Sequence, residues 1–287
     1  MSGGVRTSVI VPAYRAWETL PDALDALRPE VDRPDRELVL VESSGDVSEA
    51  DVSARWPWVR AIVLPERTLP GRARNLAVRA ARGDLLAFTD ADAVVERGWL
   101  DELESALVDG ADGVAGVVLN GAPRSAVGTA DYLLEFSDWL PSPRLPLRHG
   151  ATCNLLLRRD ALAADGGFPE TLWPGEDTVV TFRLAEQGRL AFAPGARVRH
   201  RGRTGLGEFV RHQRQLGASF VSVCEQVDFP RRALARPRYA PLLPALRLVA
   251  VALRLRGNRA AIRDAVRVSP FIALGAVAWS TGLVRGR

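Results

Sequence analysis

Residues 71–92 read Gly-Arg-Ala-Arg-Asn-Leu-Ala-Val-Arg-Ala-Ala-Arg-Gly-Asp-Leu-Leu-Ala-Phe-Thr-Asp-Ala-Asp. Ala73, Leu76, Ala77 and Ala80 recur at helical spacing, and Gly83 stands where that helix would end. Leu85–Thr89 follows as a short apolar run, the mark of a buried strand, and stops at Asp90-Ala91-Asp92. The alternation extends upstream. Thr7–Val11 is short, β-branched and apolar, and halts at Pro12; Thr19–Leu27 spaces Leu20, Ala23, Leu24 and Leu27 helically. Leu38–Val41 is another buried run, ended by Glu42-Ser43-Ser44-Gly45, and Val59–Leu64 is a further one. Continuous apolar strands interleaved with amphipathic helices predict an α/β fold around a mostly parallel sheet covered on both faces.

Downstream the pattern is more mixed. Val114–Leu119 and Asn154–Leu157 read as strands, Asp160–Ala164 as a short helix before Gly166-Gly167, and Thr178–Gln187 as a longer one. Leu190–Ala193 and Ala196–His200 flank Pro194-Gly195 and suggest a hairpin. Beyond Gly205 the reading is a helix over Leu206–Val223, then an Arg- and Pro-rich linker over Asp228–Pro244. Two apolar runs close the chain. Pro241–Leu253 is interrupted by Arg247, and Val268–Val284 contains Pro270, Gly275 and Gly282, so neither makes a regular bilayer span of about 20 residues.

Charge divides the chain of 287 residues as sharply as pattern does. Residues 201–287 hold 16 Arg against 4 acids, whereas residues 1–200 hold 22 Arg against 30 acids, so the net +4 is the sum of +12 and −8. All 38 basic residues are Arg, which excludes Schiff-base, pyridoxal-phosphate and P-loop chemistry, each of which needs a lysine. Cys153 and Cys224 offer neither a disulfide framework nor zinc spacing, and residues 1–8 lack a signal peptide's apolar core. A reducing, cytoplasmic setting is expected. The basic tail lacks the interleaved aromatics of a single-strand reader, so no nucleic-acid partner is expected. The two apolar runs suit either a pair of helices packed on the body or, favoured by the basic residues that flank them, interfacial contact with an anionic membrane.

Ligands of open α/β sheets bind beyond the carboxyl ends of the strands. Three such ends deliver polar groups here: Pro12-Ala13-Tyr14, Glu42-Ser43 and Asp90-Ala91-Asp92. The i, i+2 spacing brings both aspartates to one site, and two hard oxygen ligands suit Mg²⁺ or Mn²⁺ bridging a diphosphate. Asp-x-Asp alone is equally a solvated loop; its place directly after a buried strand is what singles it out. Glu176-Asp177 opens a helix, as helix-dipole acids often do, and there also suits a general base. His200 ends a strand and is a candidate third metal ligand. Arg72 and Arg74 start a helix whose positive end favours anions, or are simply solvated.

Taken together, Ser8–Tyr14, Gly71–Asn75 and Ala81–Asp92 resemble family 2 glycosyltransferases with the GT-A fold. Asn154–Arg159, Gly166-Gly167-Phe168, Gly175-Glu176-Asp177 and the late His200 look like that family's acceptor-side motifs, and the likeness covers about residues 7–205. Arg211–Gly217 and Ser269-Pro270, before the apolar run ending in Gly282, resemble the ends of membrane-associated bacterial members. The resemblance implies a GT-A domain over 1–205, with a nucleotide-sugar half at 1–92 and an acceptor half at 93–205, and a basic helical membrane-associated region at 206–287.

It further implies inverting transfer of one sugar from a nucleotide-diphosphate donor to an acceptor hydroxyl. Pro12, Ala13, Tyr14 and Glu42 would meet base and ribose, and Arg72 and Arg74 the nucleotide or diphosphate. Asp90 would touch ribose or metal, Asp92 and His200 would hold Mn²⁺ or Mg²⁺, and Asp177, beside Glu176, would be the base. The acceptor would be lipid-linked or a cell-envelope glycan, at the inner face of the cell membrane. The family usually has Asp where Glu42 stands, which displaces the expected ribose contact, and the processive Gln-x-x-Arg-Trp signature is missing. A sugar-1-phosphate nucleotidyltransferase, which relies on a glycine-rich N-terminal loop and a lysine, and a degenerate nucleotide-binding scaffold are the rival readings.

Overall fold

The computed structural model describes residues 5–141, 147–228 and 237–286. At its centre is one eight-stranded sheet. β1 (Thr7–Ala13), β2 (Arg36–Glu42), β3 (Arg60–Val63) and β4 (Leu85–Phe88) are its parallel part, with Val9 opposite Leu38 on one side and Ala87 on the other. Between them run α1 (Leu20–Val31), α2 (Glu49–Arg55) and α3 (Pro70–Ala80). Leu20, Ala23, Leu24 and Leu27 of α1 are buried, the stripe that their spacing predicts. Val9, Ile10, Val11 and Leu38–Val41 are almost wholly inaccessible, as strands covered on both faces must be.

The later elements are β5 (Ala93–Val95), α4 (Trp99–Ser105), β6 (Gly113–Asn120), α5 (Ala126–Glu135), β7 (Leu155–Arg158), α6 (Arg159–Ala164), α7 (Glu176–Glu186) and β8 (Leu190–His200). The sheet order is β3-β2-β1-β4-β7-β6-β8-β5. β7 enters antiparallel to both β4 and β6, so the sheet is mixed. The expected hairpin at Pro194-Gly195 is instead the middle of one continuous strand. Gly195 does not take the left-handed backbone that a tight Pro-Gly turn requires. Gly83 does not cap α3 either. A Cβ there would run into the backbone of Arg6 and Ser8, and its N–H donates to Ser8 Oγ at 2.9 Å, so it is a glycine of close approach to β1.

The chain divides into two compact units, residues 1–117 with 148–199, and residues 118–147 with 200–287. The second is built on α5 with α8 (Leu206–Gln226), α9 (Leu243–Leu255), α10 (Arg259–Arg267) and α11 (Ser269–Arg285). Its core joins Leu133 and Leu134 of α5, Phe209 of α8, Val251 and Leu255 of α9, and Ile272 of α11. The expected linker at 228–244 lies partly outside the described residues; its last part is a 3-10 turn over Pro237–Leu242 leading into α9. No single helix among the described residues is long and apolar enough to cross a membrane. The α10–α11 pair passes that test only jointly, and it is bent by 80°.

Candidate active site

The first unit gathers its charged groups at the carboxyl end of β4. Thr89 Oγ1 donates to Cys153 O at 3.0 Å and fixes the exit of the strand, and Ala93 N donates to Asp90 O at 3.1 Å to close the turn that presents Asp90 and Asp92. From α3, the third residue after Gly71 points inward: Arg74 is 3% exposed, whereas Arg72 is exposed on the solvent side of the same helix. Arg74 donates through Nη2 to Asp90 Oδ1 at 2.8 Å and through Nη1 to Glu176 Oε1 at 2.6 Å. One guanidinium thus ties the Asp90-Ala91-Asp92 turn to the start of α7. Asn75, next in line, holds the segment before α7: its amide exchanges hydrogen bonds with Phe168 N and O at 3.0 and 2.9 Å and donates to Glu170 at 3.1 Å.

Glu176 and Asp177 are adjacent but differently engaged. Gly175 in a left-handed conformation turns the chain into α7, where both acids meet the positive end of the helix. Glu176 is buried against Arg74. Burial pushes its carboxyl up to about 7, with Arg74 pulling against this and Asp177 adding to it. Burial disfavours the charge on Arg74 as well, yet Asp90, Glu176 and Asp177 together raise it above its ordinary value, so the guanidinium stays ionised. Asp177 is half-buried and takes longer contacts. Its Oδ2 accepts from Thr152 N at 3.2 Å and from Thr152 Oγ1 at 3.4 Å, and its Oδ1 from Thr178 N at 2.7 Å.

The edge beyond β1 and β2 is polar and aromatic. Pro12 and Ala13 end β1, and Ala13 O accepts from Ser43 N at 3.0 Å, so the two strand exits are laced together. Glu42 is 1% exposed and folds back on its own turn, where both carboxylate oxygens accept from Ser44, one from the amide at 2.9 Å and one from the hydroxyl. Tyr14 is exposed beside Arg15, and the Arg67 guanidinium lies 4.9 Å from the Tyr14 ring and 5.5 Å from the Trp173 ring. Arg67 links the end of β1 to the loop that precedes Glu176-Asp177. Neither Arg67 nor Thr152 stands out in the sequence. The first is one exposed arginine among 38, and the second acts mainly through its backbone amide.

His200 is the last residue of β8 and belongs to the second unit. It is buried, lies with its ring 4.7 Å from the Phe136 ring at a tilt of 42°, and accepts from Gly202 N at Nδ1 over 3.2 Å. Near it Glu135 accepts from His212 Nε2 at 3.1 Å and pairs with Arg203 at 3.4 Å. Burial opposes ionisation of Glu135, but His212, Arg203 and His200 outweigh it and hold the carboxyl at about 2. Asn154, by contrast, is a structural member of the first unit. Its side chain donates to Val117 O and Ala196 O at 2.8 and 3.0 Å and accepts from Trp99 Nε1 at 2.8 Å.

Comparison with known proteins adds to this geometry. Residues 8–163 match the model of glycosyl transferase family 2. Pre-mycofactocin glycosyltransferase of Mycobacterium tuberculosis is 30% identical over 164 residues, which is 54% of this chain and 35% of the relative. The chain therefore spans about a third of the length of that relative. Glycosyltransferase AglE of Haloferax volcanii is 27% identical over 224 residues, covering 75% and 73% of the two chains. Among solved structures, a mannosyltransferase from Pyrobaculum calidifontis, in complex with GDP-Man and Mn²⁺, superposes with a TM-score of 0.64. It is 20% identical and covers 98% of this chain and 88% of its own, a likeness of fold.

Proposed function

The chain belongs to glycosyl transferase family 2 and has the GT-A fold, and from that premise we propose that it moves a single sugar, with inversion, from a nucleotide-diphosphate sugar to an acceptor hydroxyl. The observation that carries the reading is the bridge from Arg74 to Asp90 and Glu176, at 2.8 and 2.6 Å. It locks a candidate donor-side turn and a candidate acceptor-side helix into one framework. It also separates the roles of two neighbouring acids. Glu176 is consumed by Arg74, and so is a positioning residue; Asp177, held by the longer contacts from Thr152, is the base.

In this reading Pro12, Ala13 and Tyr14 meet the base and ribose, and Glu42 does so only by exchanging its bonds to Ser44. Arg72, exposed at the start of α3, meets the diphosphate, while Arg74 sets the charge behind Asp90. Asp90 and Asp92, together on the turn after β4, would hold a metal ion with His200 as the third ligand, and two carboxylates with an imidazole fit Mn²⁺ or Mg²⁺. When bound, that ion supplies charge neutralisation for the leaving nucleoside diphosphate. Asp177 takes the proton of the acceptor hydroxyl as its oxygen forms the new bond to the anomeric carbon and the bond to the diphosphate breaks. Residues 1–205 would carry the transfer, with the donor half at 1–92. Residues 206–287 would keep the enzyme at the inner face of a membrane, next to a lipid-linked or cell-envelope acceptor.

The test uses the full chain with a panel of UDP-, GDP- and dTDP-sugars. Wild type is expected to release nucleoside diphosphate only with Mn²⁺ or Mg²⁺. Asp177→Asn should keep donor-linked thermal stabilisation with Mn²⁺ and lose about 10²–10⁴-fold in release rate. Turnover by Asp177→Asn within a few-fold of wild type would remove it from the role.

A further inference from the structure

Among the described residues, ten of the thirteen large hydrophobic side chains that remain exposed lie between Leu242 and Val284, all in the second unit. They are not scattered. On α9, Leu243, Arg247, Val251 and Leu255 point inward at four-residue spacing, and the guanidinium of Arg247 donates there to Gln213 Oε1 at 3.1 Å and lies 4.6 Å from the Trp279 ring. The opposite face carries Leu246, Val249 and Leu253, all exposed, with Ala245 and Ala252 beside them; exposed Leu242 precedes that row and exposed Arg256 follows it. On α10, Ile262 and Val266 are exposed, the latter to 71%, and Arg259, Arg263 and Arg267 form the adjoining ridge at the same four-residue spacing.

We propose that the outward faces of α9 and α10 are a docking surface for an anionic phospholipid bilayer, lying in its interface with the arginine ridge on the headgroups. This deepens the peripheral contact proposed above, by naming the face, and rests on that part of the reading alone. Charge complementarity decides the occupant. Residues 241–286 hold seven Arg and one acid, Asp264, which is itself paired with Arg267 at 3.3 Å. An apolar face bordered by exposed arginines, with long stems that reach outward, is the pattern of a helix lying in a headgroup layer.

The neighbouring helix argues for lying on the bilayer rather than crossing it. α11 is packed against α8 so closely that a Cβ on Gly282 would meet the Arg214 backbone, and one on Gly217 the Trp279 backbone. Ile272, Ala276, Ala278 and Leu283 are buried along one side of it, which ties α11 to the helical unit, while Leu274, Val277 and Val284 stay exposed on its other side.

The experiment is co-sedimentation of the full chain with vesicles of neutral phosphatidylcholine, and with vesicles containing about a third phosphatidylglycerol. Strong binding to the second and weak binding to the first is expected. Leu246→Glu/Val249→Glu should lower partitioning at least tenfold. Arg259→Gln/Arg263→Gln should lower it about 25-fold on the anionic vesicles only, near fivefold for each arginine. Val266→Glu, at the most exposed position, is the second apolar test, and circular dichroism checks that each variant folds. Donor-linked thermal stabilisation with Mn²⁺ should be unchanged in all of them, so failure here is distinguishable from failure of the catalytic reading. Equal binding to both vesicles, no binding, unaltered binding by the variants, or a dimer in solution that Leu246→Glu/Val249→Glu dissolves would each overturn the proposal.

Discussion

Replacing Arg74 by Met tests the bridge most directly. Arg74 and Glu176 are 3% and 4% exposed, and removing one partner of so buried a pair costs about 3–5 kcal/mol. Part of that cost depends on pH. Glu176 already titrates at about 7, and Arg74 is what pulls that value down, so without it the carboxyl rises further. A folded-state value above the unfolded one means that the folded chain holds more protons between the two. Stability therefore falls as pH rises through that window, by up to about 1.4 kcal/mol per unit for one group. In the wild type the fall ends near pH 7; in Arg74→Met it continues beyond.

The variant should accordingly lose about 1–3 kcal/mol more, relative to wild type, at pH 9 than at pH 6. Urea unfolding followed by tryptophan fluorescence measures this at both values. Arg74→Met/Glu176→Gln, which removes the orphaned charge, should recover most of the loss and flatten its pH dependence. Asp90 is 26% exposed at its side chain and stays hydrated without the arginine. An equal loss at both pH values, or a double variant no more stable than the single one, would refute the reasoning.

Arg67→Ala removes contacts to the Tyr14 and Trp173 rings at 4.9 and 5.5 Å. At about 0.5–1 kcal/mol each, it should raise the donor KM roughly tenfold with kcat little changed; a fall in kcat at constant KM in nucleoside diphosphate release would contradict this. Arg159 donates to three backbone carbonyls, Gly83 O, Val78 O and Ala81 O, at 2.8–2.9 Å, and so holds the end of α3. Arg159→Met should cost on the order of 3 kcal/mol, and Arg159→Lys should restore only part, because an ammonium lacks the planar fork. A change within about 0.5 kcal/mol in urea unfolding would show the clamp to be idle.

Local pattern reveals the first ninety residues because their elements are each decided by their own side chains. Leu20, Ala23, Leu24 and Leu27 announce α1, and the β-branched run before Pro12 announces β1. The second half is set by partners far away in sequence. Nothing in Leu155–Leu157 says that it will run antiparallel between β4 and β6, and nothing in Pro194-Gly195 says that a strand passes through it. The candidate site follows the same division. Asp90 and Asp92 are visible from their place after a buried strand. The preference of Arg74 for Glu176 over Asp177 depends on the phase of α7 against α3, across 102 residues.

The placement of β7 also has a consequence for synthesis. β4 is complete at Phe88, but its outer neighbour begins only at Leu155, and that same strand pairs with β6 on its other side. At roughly 5–20 residues per second, a nascent chain carries the open edge of β4 for several seconds. Unpaired edges are what other chains add to. The charged segments on either side of Leu85–Phe88, with Arg82 and Asp84 before it and Asp90 and Asp92 after it, flank that edge during the wait. Asp90 and Asp92 therefore stand both at the candidate site and where the flanking charges of an apolar strand act against such addition.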